Sequence, residues 1–233
     1  MDAETPARVA VRGSETEAVR GAVTDAGASV VERDPDAVVV AGEAALCSLA
    51  TDLPNVPVVP VTERDGLLAV APEDLSAALS GPFRRQPHPV LGVRVDGDAT
   101  GRALVDVTLV TRESANISEF AVRAGGRRVG DFRADGAVVA TPLGSAGYAR
   151  AAGGPVVGGG GGLAVVPVAQ FATSRGAWVL DPPVDCVVER DEEPVSLVRD
   201  GTVVGDVGVG RPVRVEAVDS LDLLVPVDGV ESF

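Results

Sequence analysis

The hydrophobic pattern of this chain changes character between residues 81 and 89, and that change constrains the fold more than any other feature. Before it, "ARVAVR" (7–12) alternates like a first strand. "ASVVER" (28–33) and "DAVVVAG" (36–42) are Val-rich and unbroken, as buried parallel strands are, and "VPVVPV" (56–61) makes another strand. Helical segments lie between them. "GSETEAVRGAVTDAG" (13–27) has Ser14 as N-cap candidate, Glu17 three residues later and Gly27 as a stop. "EAALCSLATDL" (43–53) reads as a short helix, and "PEDLSAALSG" (72–81) opens on Pro and ends on Gly. Strands alternating with helices predict an α/β unit.

"GPFRRQPHPV" (81–90) has three prolines and a glycine and reads as a crossover or linker. Beyond it come short alternating strands with Gly/Asp turns: "VLGVRVDGD", "ALVDVTLVT", "EFAVRAGGRRVGDFRADGAVVATP" and "LVRDGTVVGDVGVGRPVRVEA". Gly125-Gly126 is a hairpin turn by its chemistry. One short helix is expected near 144–152, and the glycines at 158–162 read as a loop. The expected organisation is therefore an α/β N-terminal domain, 1–83, followed by a β-rich, antiparallel, sandwich-like C-terminal domain, 84–233.

Composition narrows the function. Apolar residues are 45% of the 233, enough for a real core, with only 3% aromatic, so Val and Ala carry it. All 20 basic residues are arginine against 34 acidic ones, a net charge of −14. Missing lysine and surplus carboxylate suggest salt adaptation, an acidic protein of a GC-rich genome being the plainer alternative. Either way the charge disfavours nucleic-acid and membrane-surface partners. Cys47, Cys186 and the lone His88 are too few for a zinc site, and no metal cluster is expected; the cysteines read as free thiols, one disulfide being the alternative. No run of about 18 apolar residues exists, and Asp2 and Glu4 follow Met1, so neither a membrane span nor a signal peptide is expected and the chain reads as cytoplasmic. Trp178 and Phe171 read as core, His88 as structural or exposed, and "RDEEP" (190–194) as a solvated turn.

"ATPLGSAGYARAAGGPVV" (140–157) spends glycines freely, although each costs about 1 kcal/mol inside a regular element. A Gly-Ser turn opening a short helix presents free backbone N–H groups to a ligand. Tyr148 offers a flat face and a hydroxyl, and Asp135 a hydrogen-bond acceptor. The alternative is a structural β-to-α corner with Tyr148 as a packed surface ring and Asp135 as a turn residue.

The longer stretch "DGAVVATPLGSAGYARAAGGPVV" (135–157) resembles the signature of the NAD kinase family, with Asp135, Gly136, Thr141, Pro142, Gly144, Ser145, Tyr148, Gly153, Gly154 and Pro155 in register. "EFAV" (119–122), "VPVVPVTERDGLLAVAPEDLSAAL" (56–79), "LAVVPVAQFATSRGAWVL" (163–180) and "VRDGTV" (198–203) resemble further segments of that family, so the likeness covers most of the chain. It implies two domains that clasp NAD, and transfer of a phosphoryl group from ATP, with a divalent metal such as Mg²⁺, to the 2′-hydroxyl of the adenosine ribose, giving NADP. It also implies a homo-oligomer. Carried over residue by residue, Glu43 is the catalytic candidate. Gly42, Asp106, Asp135, Thr141, Gly144, Ser145, Ala146, Gly147 and Tyr148 are the nucleotide-binding candidates.

The departures from the family pattern fall where the chemistry should be. Its Gly-Gly-Asp-Gly-Thr is Ala41-Gly42-Glu43-Ala44-Ala45 here; one glycine of three remains, and Glu reaches about one methylene farther than Asp. Small misplacements cost about a hundredfold in rate. The alternative for Glu43 is a solvated carboxylate at a helix start. Val105 stands where the resemblance implies an Asn beside the acid Asp106, and it neither donates nor accepts a hydrogen bond. Leu143, Ala146 and Gly147 replace Thr, Thr and Ala. Glu63 and Asp65 in "VTERDG" (61–66) would add negative charge near the phosphates, unfavourable unless Arg64 or a metal offsets it. Two functions follow: a kinase of weakened or lost activity, or an inactive paralogue serving as a nucleotide-binding or assembly protein.

Overall fold

The structure is a computed structural model and describes residues 5–14, 16–63, 66–112, 117–171, 176–191 and 194–227. The reading of the N-terminal residues 1–4, the offset by Arg64 and the charge of Asp65, residues 172–175 of the family-like segment, and Glu192–Glu193 of the charged turn lie outside these. The chain divides into two compact units: residues 1–88 with 158–160 and 220–233, and residues 89–157 with 161–219.

The first unit carries β1 (Arg8–Gly13), α1 (Thr16–Asp25), β2 (Ser29–Val30), β3 (Ala37–Ala41), α2 (Glu43–Ser48), β4 (Val58–Val61) and α3 (Leu75–Ser80). The strands run parallel in the order β2-β1-β3-β4, and Leu223 pairs parallel to Val58 beyond them. All five side chains of β3 are buried, which is why the sequence there has no polar alternation. α1 ends as Gly27 predicts. That residue has φ 81°, its N–H donates to Thr24 O, and Ala28 N–H donates to Val23 O, a left-handed helix stop. Ser14 Oγ donates to Ala41 O at 3.3 Å, joining the ends of β1 and β3. The core of this unit unites Val9, Val23, Val39, Val59, Leu75 and Leu79.

The remaining strands are β5 (Phe83–Val95), β6 (Asp98–Ala103), β7 (Asp106–Thr111), β8 (Ser118–Ala124), β9 (Arg127–Ala134), β10 (Gly136–Ala140), β11 (Leu163–Val168), β12 (Trp178–Leu180), β13 (Val184–Arg190), β14 (Val195–Arg199), β15 (Thr202–Val207) and β16 (Pro212–Pro226), with α4 (Tyr148–Ala151) after β10. In the second unit one sheet has the order β16-β13-β8-β9, with β5 paired to β16 and to β6. The other has the order β12-β11-β10-β7-β14-β15. One apolar core, including Leu91, Leu109, Phe120, Val139, Val165, Val188 and Leu197, draws from both sheets, so the unit is an antiparallel sandwich. A smaller cluster of Val138, Ala140, Ala149, Val157, Ala164 and Val166 covers the back of β10 and β11 with α4.

Two expectations change. The proline-rich segment, where the chain passes from the first unit to the second, is not a loop: it belongs to the 13-residue strand β5, whose neighbour β16 gives it a ladder. A strand keeps proline where the missing N–H faces no acceptor, which local sequence does not reveal. His88 is 1% exposed on that strand. Phe171 is not core but 69% exposed, whereas Trp178 packs against the sandwich. Scarce as aromatics are, Phe120, Phe132 and Trp178 stack in series, with centroids 5.5 and 5.8 Å apart.

Candidate functional site

In the first unit the strand order places β2 and β3 on opposite sides of β1. The connection therefore reverses direction between β1 and β3, and ligands of open parallel sheets bind beyond the carboxyl ends of strands at such a reversal. A cleft opens there, lined by Ser14, Ala41, Gly42, Glu43, Thr62 and Glu63. Two glycines shape it. Gly13 has φ 108°, and a Cβ would run into Ala41 O; Gly42 has φ 89°, and a Cβ would meet the Ser14 hydroxyl. Gly42 is the N-cap of α2, its N–H donates to Val61 O at 3.0 Å, and Glu43 begins the helix with its side chain exposed. Ala44 and Ala45 also border the cleft inside α2, so no positive φ is asked of them.

In the second unit the 140–157 segment is a tightly bonded corner. Thr141 is fully buried; its Oγ1 lies 2.9 Å from Leu104 O and 3.0 Å from Val105 O, and accepts the Gly144 N–H at 3.2 Å. Ser145, equally buried, donates to Pro142 O at 2.7 Å and accepts the Val157 N–H at 2.8 Å. Both hydroxyls are engaged by the fold's own backbone. Gly144 packs on the Val105 carbonyl where no Cβ fits. Gly153, at φ 95°, ends α4 with a left-handed stop in which its N–H donates to Arg150 O and that of Gly154 to Ala149 O. Ala146 ends the turn Gly144–Ala146 and Gly147 links it to α4, both half-buried.

Tyr148 opens α4 and is 42% exposed. Partial burial, then the charges of Asp106 and Asp135, push its phenol above the usual range, so the corner gathers one ring and two acids. Asp106 is 8% exposed at the start of β7, with Thr108 Oγ1 donating to it at 3.4 Å. Asp135 sits between β9 and β10; its carbonyl accepts from Thr111 N–H and Oγ1, and its side chain is half-buried. Val105, beside Asp106, is 5% exposed.

Sequence reasoning missed Gly13, Ser14 and Thr62 as cleft residues. Gly13 had a signal, a glycine ending a strand, but its collision partner lies on another strand. Among the described residues no three His, Cys, Asp or Glu side chains gather for a metal, and no helix is long and apolar enough to cross a membrane. Cys47 and Cys186 are not joined.

Residues 104–227 match the family model described as the ATP-NAD kinase C-terminal domain. The NAD kinase of Thermomicrobium roseum is 31% identical over 202 residues, 80% of this chain and 69% of the relative. That of Methanospirillum hungatei is 33% identical over 180 residues, 73% of this chain and 66% of the relative. That of Methanocorpusculum labreanum is 32% identical over 138 residues, and there the chain spans 51% of the relative's length. The chain thus spans about half to two thirds of these curated relatives. An NAD kinase of Archaeoglobus fulgidus, solved in complex with ATP, superposes at a TM-score of 0.65 with 23% identity, covering 94% of this chain and 93% of that one. Yeast NADH kinase, complexed with NADH, gives 0.67 with 16% identity over 95% and 84%. These two likenesses are of fold, and they match the α/β-plus-sandwich architecture expected from the sequence. With a family model matching more than half of its length, and with that sequence identity to the Thermomicrobium enzyme, this chain belongs to the NAD kinase family.

Proposed function

We propose that the chain phosphorylates the 2′-hydroxyl of the adenosine ribose of NAD with ATP, giving NADP, at a rate lowered by its departures from the family pattern. The observation that carries the reading is Glu43 at the head of the switch-point cleft, with Gly42 before it in a conformation closed to other residues. In the reaction the 2′-oxygen bonds to the γ-phosphorus, the bond from that phosphorus to the β,γ-bridging oxygen breaks, and ADP leaves. The hydroxyl proton passes to the Glu43 carboxylate. Such transfers depend mainly on positioning and electrostatics, so a displaced carboxylate costs rate.

Tyr148, Asp106 and Asp135 supply the recognition of the dinucleotide: a stacking face and two acceptors for hydroxyl or amino groups. Ala146 and Gly147 keep the adjacent surface free of bulk, and Gly144 lets the corner close on the Val105 carbonyl. Thr141 and Ser145 serve by holding this corner rather than by touching the nucleotide. Two carboxylates, Glu43 and Glu63, line one cleft with the hydroxyls of Ser14 and Thr62. Mg²⁺ commonly takes one or two protein carboxylates and fills its shell with phosphate oxygens and water, so these residues fit it. The same reading makes the protein a salt-adapted cytoplasmic homo-oligomer.

The second reading, an inactive paralogue that binds a nucleotide or serves assembly, is favoured by Val105, whose buried side chain offers no hydrogen bond where the resemblance implies an Asn. One experiment separates the two. Purified protein is incubated in high salt with ATP, Mg²⁺ and NAD, NADP is assayed with a salt-tolerant coupled dehydrogenase, and NAD binding is followed by calorimetry. NADP formation supports the kinase; binding without turnover supports the paralogue; neither removes both.

A further inference from the structure

The segment that leads into Asp106 is held from several sides by a residue far away in sequence. Asp200 lies in the turn between β14 and β15, at φ 45°, followed by Gly201 at φ 75°. Its side chain turns back onto the start of β7. Oδ2 accepts the Leu104 N–H at 2.8 Å, and Oδ1 accepts the N–H groups of Val105 at 2.8 Å and Asp106 at 3.0 Å. The Asp200 N–H in turn donates to Asp106 O at 3.0 Å. Three consecutive amides aimed at one carboxylate form a backbone nest, and here the anion is the protein's own. Thr141 Oγ1 engages the carbonyls of Leu104 and Val105 from the other side, and Arg199 Nη1 donates to Arg102 O at 2.7 Å. Hydrogen bonds to a charged acceptor are the stronger kind, and leaving buried amides unpaired is costly.

An Asp-Gly pair in a two-residue hairpin explains the turn, not the nest. Any residue tolerant of positive φ would serve the turn; only a short carboxylate reaches three amides from there. We propose that Asp200 is a positioning residue that fixes the backbone of Leu104–Asp106 and thereby sets where the Asp106 carboxylate stands relative to Tyr148. The proposal rests on the reading of Asp106 and Tyr148 as dinucleotide contacts only for its consequence in binding. The geometric claim is independent of it.

Tyr148 is the single tyrosine of the chain, so its phenol can be titrated by ultraviolet difference absorbance without assignment. The charges acting on it are those of Asp106 and Asp135. Asn at position 200 tolerates positive φ and nearly matches Asp in size, so Asp200→Asn removes the charge and one acceptor while keeping the turn. The expected result is a lower titration midpoint for Tyr148 in D200N than in the unaltered protein. In a D106N background, D200N causes no further shift, because its effect passes through Asp106. An unchanged midpoint in D200N overturns the proposal, and so does an equal shift with and without Asp106. Circular dichroism across the pH range confines the comparison to folded protein. If D200N does not fold, the unaltered chain decides by NMR. The amide shifts of Leu104, Val105 and Asp106 follow the Asp200 carboxyl on acidification, and amides that ignore it overturn the proposal. On the binding side, NAD affinity falls about tenfold in D200N, the size expected for a lost charge-assisted bond. If the unaltered protein binds no NAD, the functional reading fails while the phenol titration still decides the role of Asp200.

Discussion

Thr141→Val tests whether the signature hydroxyl belongs to the fold or to a ligand. Thr141 has no exposed surface, and valine has nearly its shape, so the change isolates the hydroxyl. The loss has two parts. The bond from Oγ1 to Leu104 O, at 2.9 Å, contributes about 1 kcal/mol net, as such bonds typically do. Val105 O keeps the Thr141 N–H as donor at 2.9 Å, so its loss is partial. The Gly144 N–H, at 3.2 Å from Oγ1, is left buried with a methyl group facing it, a penalty of about 1–3 kcal/mol. The sum is about 2–4 kcal/mol, or roughly 1–2 M in urea midpoint at the usual denaturant sensitivity. The chain's one tryptophan, Trp178, lies in the same unit, so its fluorescence reports the right transition without interference from the other. Thr141→Ser is the control: it keeps the hydroxyl and loses one methyl, costing about 1 kcal/mol. If Thr141→Val costs under about 0.5 kcal/mol without nucleotide, on the ordinary scale of surface substitutions, the reasoning is refuted and the hydroxyl is not needed by the fold.

Gly42→Ala places a Cβ against Ser14 Oγ at a φ of 89°, and is expected to cost about 1–3 kcal/mol of stability, read by chemical denaturation; an unchanged midpoint contradicts the strain. Combining Glu43→Asp, Ala44→Gly and Val105→Asn restores the family pattern at the cleft and beside Asp106, and raises NADP formation above that of the unaltered chain; no gain counts against the placement of the catalytic residue. Cys186 is buried and its thiol is pushed up to about 12 by desolvation, and then by Asp185, so a disulfide-exchange reagent at pH 8 modifies the half-buried Cys47 first and Cys186 only on unfolding. Both Cys186 and Tyr148 hold their protons more tightly folded than unfolded. Their contribution to stability is therefore complete below their ordinary values and is lost as pH rises through the raised folded ones, so alkaline unfolding should take up less base in a Cys186→Ala variant.

Much of the fold was legible because local chemistry and final structure agree. The Gly125-Gly126 turn, with φ of 56° and 75°, joins β8 and β9 as its dipeptide announces. Gly27 stops α1, and Pro72 and Gly81 bracket the segment that ends in α3, because those positions need only the residue's own backbone preference. Ser14 shows the opposite case. Its spacing to Glu17 fits a capping box, but nothing in that spacing shows the carbonyl 27 residues away to which its hydroxyl donates.

By itself, then, the sequence determined the order of helices and strands, the α/β start and antiparallel continuation, and the corner at 140–157, since turn residues and apolar period act over a few residues. The tertiary structure alone decided what the polar side chains do. Proline-rich β5 is a strand because β16 runs beside it. Thr141 and Ser145 are spent on backbone groups as far as 37 residues away, and Asp200 clasps amides 94–96 positions earlier. Such partners meet only once the sheets are assembled. A hydroxyl or carboxylate carries the same letter in a sequence whether it faces a nucleotide or a carbonyl, and burial among long-range neighbours makes the difference.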